Sequence, residues 1–109
     1  MKYDENKRKQ IYVDAVKCWG EMAQFDQFIE ESCELIVAIN KYKRKKFFGE
    51  YEGNSLIEEN LIEELADTAM CIELLIDLVG KDKVMTKLDE KFEKFSGQLN
   101  KAKTKLKKV

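Results

Sequence analysis

Apolar residues recur at helical spacing along most of the chain, and no segment reads as a strand. Ile11, Ala15 and Cys18 share one face, with Tyr12 and Val16 beside them. This predicts a first helix from about Asp4 to Lys17 that stops near Trp19-Gly20. A second helix is expected from about Ala23 to Lys45. It closes on the run KYKRKK, where positive charge suits the carboxyl end of a helix dipole. The segment FFGEYEGNS reads as a loop, with Gly49, Gly53 and Asn54 as its turn residues. Ser55 with Glu58 predicts a capping box that opens a third helix, which runs to Val79 and stops at Gly80. Asp82 is the expected cap of a fourth helix that continues to about Lys107 and weakens around Ser96-Gly97.

The expected architecture is therefore all-α: a four-helix bundle forming one domain over residues 1–109 and completed by oligomerisation. Composition agrees, since proline is absent and long helices need no interruption. The 20 basic and 21 acidic residues nearly cancel, so no global field draws the chain to nucleic acid or to a membrane surface. No apolar run approaches the ~20 residues of a membrane span. The polar stretch MKYDENKRKQ is not expected to act as a signal peptide. Three cysteines in no paired pattern fit reduced thiols in a cytoplasmic protein. Histidine is absent, which excludes Ser-His and Cys-His nucleophile pairs and a ferritin-like di-iron site built on Glu-x-x-His. A metal in this chain must be held mainly by carboxylate oxygen, which favours Mg²⁺ or Mn²⁺.

The helical wheel assigns the acids. With Phe25 at zero and about 100° per residue, Phe28, Ile29, Ser32, Ile36 and Ile39 cluster near zero and form the expected core stripe of the second helix. Glu31 and Glu34 fall at roughly 240° and 180°. That side also carries Leu35, Ala38 and Tyr42, so it is expected to face other protein. On the third helix, Leu61, Leu65, Ala69, Ile72 and Ile76 form the expected core stripe. A further stripe, Asn60, Glu64, Asp67, Cys71, Leu74 and Leu78, starts polar and turns apolar, which places Glu64 and Asp67 where a neighbour should pack. Each helix thus offers a carboxylate pair at i, i+3, with Cβ atoms about 5–6 Å apart. Two readings stand at this point: solvated faces paired with the many lysines, or a site in which a divalent cation relieves the mutual repulsion of partly desolvated acids.

The two acidic segments also carry a resemblance. EESCE, Glu30 to Glu34, fits Glu-Glu-x-x-Glu, and ELAD, Glu64 to Asp67, fits Glu-x-x-Asp. In this order, on consecutive helices, they resemble the MazG-type nucleoside triphosphate pyrophosphohydrolases of the all-α NTP pyrophosphatase superfamily. The longer stretches WGEMAQFDQFIEESCELIVAINKYKR and NLIEELADTAMCIELL are similar to the small stand-alone MazG-like proteins of bacteria and their phages. The likeness covers roughly residues 16–78. It implies a homodimer or homotetramer that hydrolyses a (deoxy)nucleoside triphosphate to the monophosphate and pyrophosphate, in nucleotide-pool cleansing or control. By motif position it implies that Glu31, Glu34, Glu64 and Asp67 hold Mg²⁺, with Mn²⁺ as a substitute. Glu30 or Glu31 would orient or deprotonate the attacking water. The stretch between Glu34 and Glu64 is at the long end for the family and carries the insert-like KKFFGEYEGNS.

Other candidates carry two readings each. Trp19 stacks on a nucleobase, or packs in the core or an oligomer contact. Gln24 reads a base edge or simply begins its helix. Lys41 and Arg44 reach phosphates, or complement the helix dipole. Lys91 and Lys94 are the fourth-helix candidates for a phosphate-binding lysine, against a solvated charge. The rival function is a non-catalytic helical bundle that binds protein or nucleic acid through the basic runs 41–46 and 101–108. Nothing aromatic is interleaved in the second of these to stack on bases, which weighs against nucleic acid.

Overall fold

A computed structural model describes residues 1–107 and is all-helical, with no strand among them. The helices are α1 (Glu5–Trp19), α2 (Glu21–Phe48), α3 (Leu56–Val79) and α4 (Lys81–Lys107). By internal contact the chain divides into two compact units, Met1–Asp77 and the residues from Leu78 onward. The first holds α1, α2 and nearly all of α3. The second holds the last residues of α3 together with α4.

Local chemistry sets the helix ends. Asp4 caps α1, its side chain accepting from the Lys7 amide at 2.9 Å. Gly20, at φ +89°, ends α1 by donating its N–H to the Val16 carbonyl at 2.8 Å, and α2 starts directly after it. α2 begins two residues before the expected Ala23 and runs three beyond the expected Lys45. Within that extra turn the Lys46 ammonium lies 5.7 Å from the ring centroids of Tyr42 and Phe47. α2 stops where Gly49 takes the left-handed conformation at φ +71°, and the Glu50 amide then donates back to the Arg44 carbonyl at 3.2 Å. At the start of α3, the Leu56 amide donates to the Asn54 side chain at 3.1 Å, so the capping group observed is Asn54 where Ser55 was expected. α4 runs without a break through Ser96 and Gly97.

The first unit is held together around a small interior. Arg8 of α1 donates to Glu73 of α3 at 2.6 Å and to the Tyr3 carbonyl at 2.9 Å. Tyr12, one turn along α1, is buried. On α2 the side turned inward is Gln24, Phe28, Glu31, Leu35, Ala38, Tyr42 and Lys45, all half-buried or buried, with Ala38 only 1% exposed. On α3 it is Ile57, Leu61, Glu64, Thr68, Cys71 and Leu74. Both series repeat at spacings of three and four, the stripe of a helix that packs along one side.

The stripes expected to form the core are covered only in part within this chain, with Phe28, Ser32, Leu61 and Ile76 half-buried. Ile29 is 62% and Ile36 59% exposed, and Phe25, Ile39, Leu65 and Ile72 are exposed as well. Periodicity locates an apolar face but does not say which surface covers it. The chain buries the acid-bearing faces of α2 and α3 and leaves their most apolar faces outward.

The αL turn at Gly49 yields a direct test. Gly49→Ala places a Cβ on a left-handed residue and is expected to destabilise the fold by about 1 kcal/mol in chemical denaturation. Gly97→Ala, on an ordinary helical backbone, should not destabilise it.

Candidate metal centre

The inward stripes of α2 and α3 bring acids together because two of their positions are glutamates. Glu31 and Glu34 stand one turn apart on α2, and the short loop after Gly49 returns α3 so that Glu64 meets them. One carboxylate oxygen from each of Glu31, Glu34 and Glu64 lies within 4.8 Å of the others. Glu31 and Glu64 are half-buried, and Glu34 is exposed at the edge.

The hydrogen bonding is incomplete. Glu31 Oε1 accepts from Gln27 Nε2 at 2.9 Å. Glu31 Oε2 and Glu64 Oε2 are shut from solvent and have no hydrogen-bond partner, nor has Thr68 Oγ1 one turn beyond Glu64. Buried oxygens without donors are costly. The protonation equilibria reflect that cost. Loss of solvent, then the charge of Glu34, then that of Asp67, pushes the Glu31 carboxyl above the ordinary glutamate range, and the Gln27 hydrogen bond opposes this. Glu64 is pushed the same way by loss of solvent, by the charges of Glu34, Glu31 and Asp67, and by a hydrogen bond with the Glu31 carboxyl that forms when one of the two is protonated. The donor set is all oxygen, partly desolvated and short of positive partners, and it fits a hard divalent cation.

A cavity of about 390 Å³ opens beside this cluster. Glu31 and Asp67 form its acidic wall. Tyr12, Ala23, Met70 and Leu74 form its apolar wall, Gln24 and Gln27 its amides, and Trp19, 73% exposed, stands at its rim. Cys71 also lines it, and burial with the nearby charges of Glu31 and Asp67 pushes its thiol pKa up.

The sequence-derived candidates separate accordingly. Glu31, Glu34 and Glu64 converge, Asp67 lies beside them on the cavity wall, and Trp19 and Gln24 line the same cavity. Glu30 is exposed on α2, outside the triad. Lys41 is exposed, and Arg44 lies 4.0 Å from Glu50 in a separate surface hollow. Lys91 and Lys94 are exposed on α4, in the second unit. Gln27 and Thr68 were missed. Gln27 carried a signal, since it precedes Glu31 by four residues on the same helix, a spacing at which an amide reaches a carboxylate.

In comparisons with known proteins, no family model, no curated protein and no solved structure matches the chain.

Because Glu31 and Glu64 have raised pKa values in the folded chain, their contribution to stability is fully present below the ordinary glutamate range. It is lost as pH rises through the folded values. Metal-free protein should therefore carry a stability deficit at neutral pH that Glu64→Gln removes, raising the melting temperature by a few degrees. Millimolar Mg²⁺ or Mn²⁺ should raise the melting temperature of the wild type at neutral pH, raise it less in mild acid, and leave Glu64→Gln nearly unmoved. Thermal melts across pH, with the cation and with a chelator, provide the measurement.

Proposed function

We propose that the chain is a metal-dependent nucleoside triphosphate pyrophosphohydrolase, cleaving the anhydride bond between the α- and β-phosphates to give the monophosphate and pyrophosphate. The observation that carries this reading is the pair of shielded, unpartnered oxygens on Glu31 and Glu64, with Glu31 also lining a cavity large enough for a small planar group. The resemblance of EESCE and ELAD to the MazG-type motifs supports it independently.

On this reading Glu31, Glu34 and Glu64 hold Mg²⁺, with Asp67 beside them. When bound, the ion supplies positive charge for the triphosphate oxygens and lowers the pKa of water. The remaining work falls to the chain. Gln27 donates to Glu31 Oε1 and fixes that carboxylate, leaving Oε2 as the oxygen without a partner. Glu31 stands in the triad whereas Glu30 is exposed outside it, which favours Glu31 over Glu30 for orienting or deprotonating the attacking water. The apolar wall of Tyr12, Met70 and Leu74 keeps water from the buried part of the substrate. Trp19 at the rim offers a ring on which a nucleobase can stack, and Gln24 and Gln27 offer amides to its edge. Lys41, Arg44, Lys91 and Lys94 have no assigned role in this scheme.

The outward stripe on α2 and α3 gives the reading its quaternary part. Ile29, Ile36 and Ile39 give α2, and Leu65 and Ile72 give α3, an apolar face that a lone chain leaves in water, while few residues of the first unit are buried. A second copy covering that face completes a core of ordinary size, as a homodimer or as half of a homotetramer. The cytoplasm, where the free Cys18, Cys33 and Cys71 stay reduced, is the compartment that fits. No described helix is long and apolar enough to cross a membrane.

Two measurements test these parts separately. Pyrophosphate release from a panel of dNTPs with Mg²⁺ should be detected, and Glu31→Gln should lower turnover by about 100-fold or more. Glu34→Gln, Glu64→Gln and Asp67→Asn should weaken the dependence on Mg²⁺. No turnover of any triphosphate, or wild-type rates in all four variants, removes the enzymatic reading. Light scattering should give a dimer or tetramer for the wild type, and Ile36→Asp should lower the assembly's mass. A monomeric wild type removes the quaternary part alone.

A further inference from the structure

The last helix has a pattern that the proposed catalysis does not use. None of the described residues of α4 is buried, yet its apolar side chains follow a strict alternation of three and four: Met85, Leu88, Phe92, Phe95, Leu99, Ala102 and Leu106. Phe92 is 62% exposed, and Met85, Leu88, Phe95, Leu99 and Leu106 are exposed with it. A strict seven-residue repeat of this kind is the seam of a coiled coil, narrower than the apolar face of a helix that packs on a globular core or lies on lipid. The positions flanking the seam are polar, with Asp89, Ser96 and Lys103 on one side and Lys91, Gln98 and Lys105 on the other. Gly97, the residue least suited to a packed helix, falls on the face opposite the seam.

Charge selects the orientation. From Lys94 to Lys107 every charged residue is a lysine, whereas from Lys81 to Glu93 lysines alternate with Asp82, Asp89, Glu90 and Glu93. Two such helices in parallel would set one lysine-only half against another. In antiparallel alignment each lysine-only half lies along a mixed half, and Asp82 comes beside Lys103 of the other copy. The same alignment pairs seam residues by size, with Phe92 against Phe95 at the centre, Leu88 against Leu99, and bulky Met85 against small Ala102. We infer that α4 pairs in antiparallel fashion with α4 of a second copy of this chain, through the seam from Met85 to Leu106.

The pairing is independent of the metal centre and of the apolar stripe on α2 and α3. It is tested in full-length chains carrying Cys18→Ser and Cys33→Ser, with the buried Cys71 retained. One chain also carries Met85→Cys and another Ala102→Cys. Treatment of the mixture with a short bismaleimide should give a covalent dimer containing one of each chain, and neither chain alone should cross-link. Phe92→Asp in both chains should reduce that product at least tenfold, with helix content by circular dichroism retained. A covalent dimer from Met85→Cys alone would mean parallel pairing and overturns the inference. Absence of the mixed product overturns it too, as does retention of that product in the Phe92→Asp chains. Co-sedimentation of the full chain with phosphatidylserine vesicles, abolished by Phe92→Asp, would assign the seam to lipid and also overturns it.

Discussion

Like charge held away from water is the constraint around which the first unit is arranged. Glu31 and Glu64 occupy positions in the inward stripes of α2 and α3 where the flanking turns place Leu35, Ala38, Leu61 and Thr68. Glu34 adds a third charge at the edge. A stripe of this kind ordinarily contributes stability by removing apolar surface from water, and here the same contact desolvates carboxylates. The chain supplies Gln27 as a donor to one oxygen of Glu31 and leaves Oε2 of both glutamates without one. No lysine or arginine reaches the cluster among the ion pairs observed, although the chain has 20 basic residues. The arrangement is locally unfavourable and geometrically specific, a combination common where structure is shaped by a ligand.

Much of the helical layout could be read from residue order alone, because its determinants are local. The absence of proline, the glycines at 20, 49 and 80, and the apolar repeats specify where helices run and stop. Errors at the ends have local causes as well. Lys46 against Tyr42 and Phe47 accompanies the continuation of α2 to Phe48, and the Asn54 side chain takes the amide that Ser55 was expected to cap. The convergence of Glu31, Glu34 and Glu64 was legible because i, i+3 spacing on two consecutive helices puts each pair on one face. That Glu31 and Glu64 would lose their solvent was legible only in part, from neighbours such as Leu35 and Ala38.

The choice of buried face was legible only in part: the side of α2 with Glu31, Leu35, Ala38 and Tyr42 was expected to meet protein and does, but it was not expected to be the main buried side. The Ile29–Ile36 stripe of α2 is more apolar than the Gln24–Glu31–Ala38 stripe, and a wheel ranks it first for burial. Yet Ile29 and Ile36 lie outward while Ala38 is sealed. A helical wheel measures how apolar a face is and carries no label for the molecule that covers it. The cavity was hidden for a related reason. Tyr12, Met70 and Leu74 come from two helices far apart in the chain, and only folding makes them one wall.

Cys71 shows what the acid cluster does to a bystander. Its thiol is buried, and Glu31 and Asp67 hold negative charge near it, so the proton is retained well above neutral pH. Peroxides attack thiolates, and a thiol kept protonated and out of solvent reacts slowly. Cys18 and Cys33 are exposed, and an oxidant in solution meets them first. The carboxylates that make this interior electrostatically tense also leave its one thiol chemically quiet.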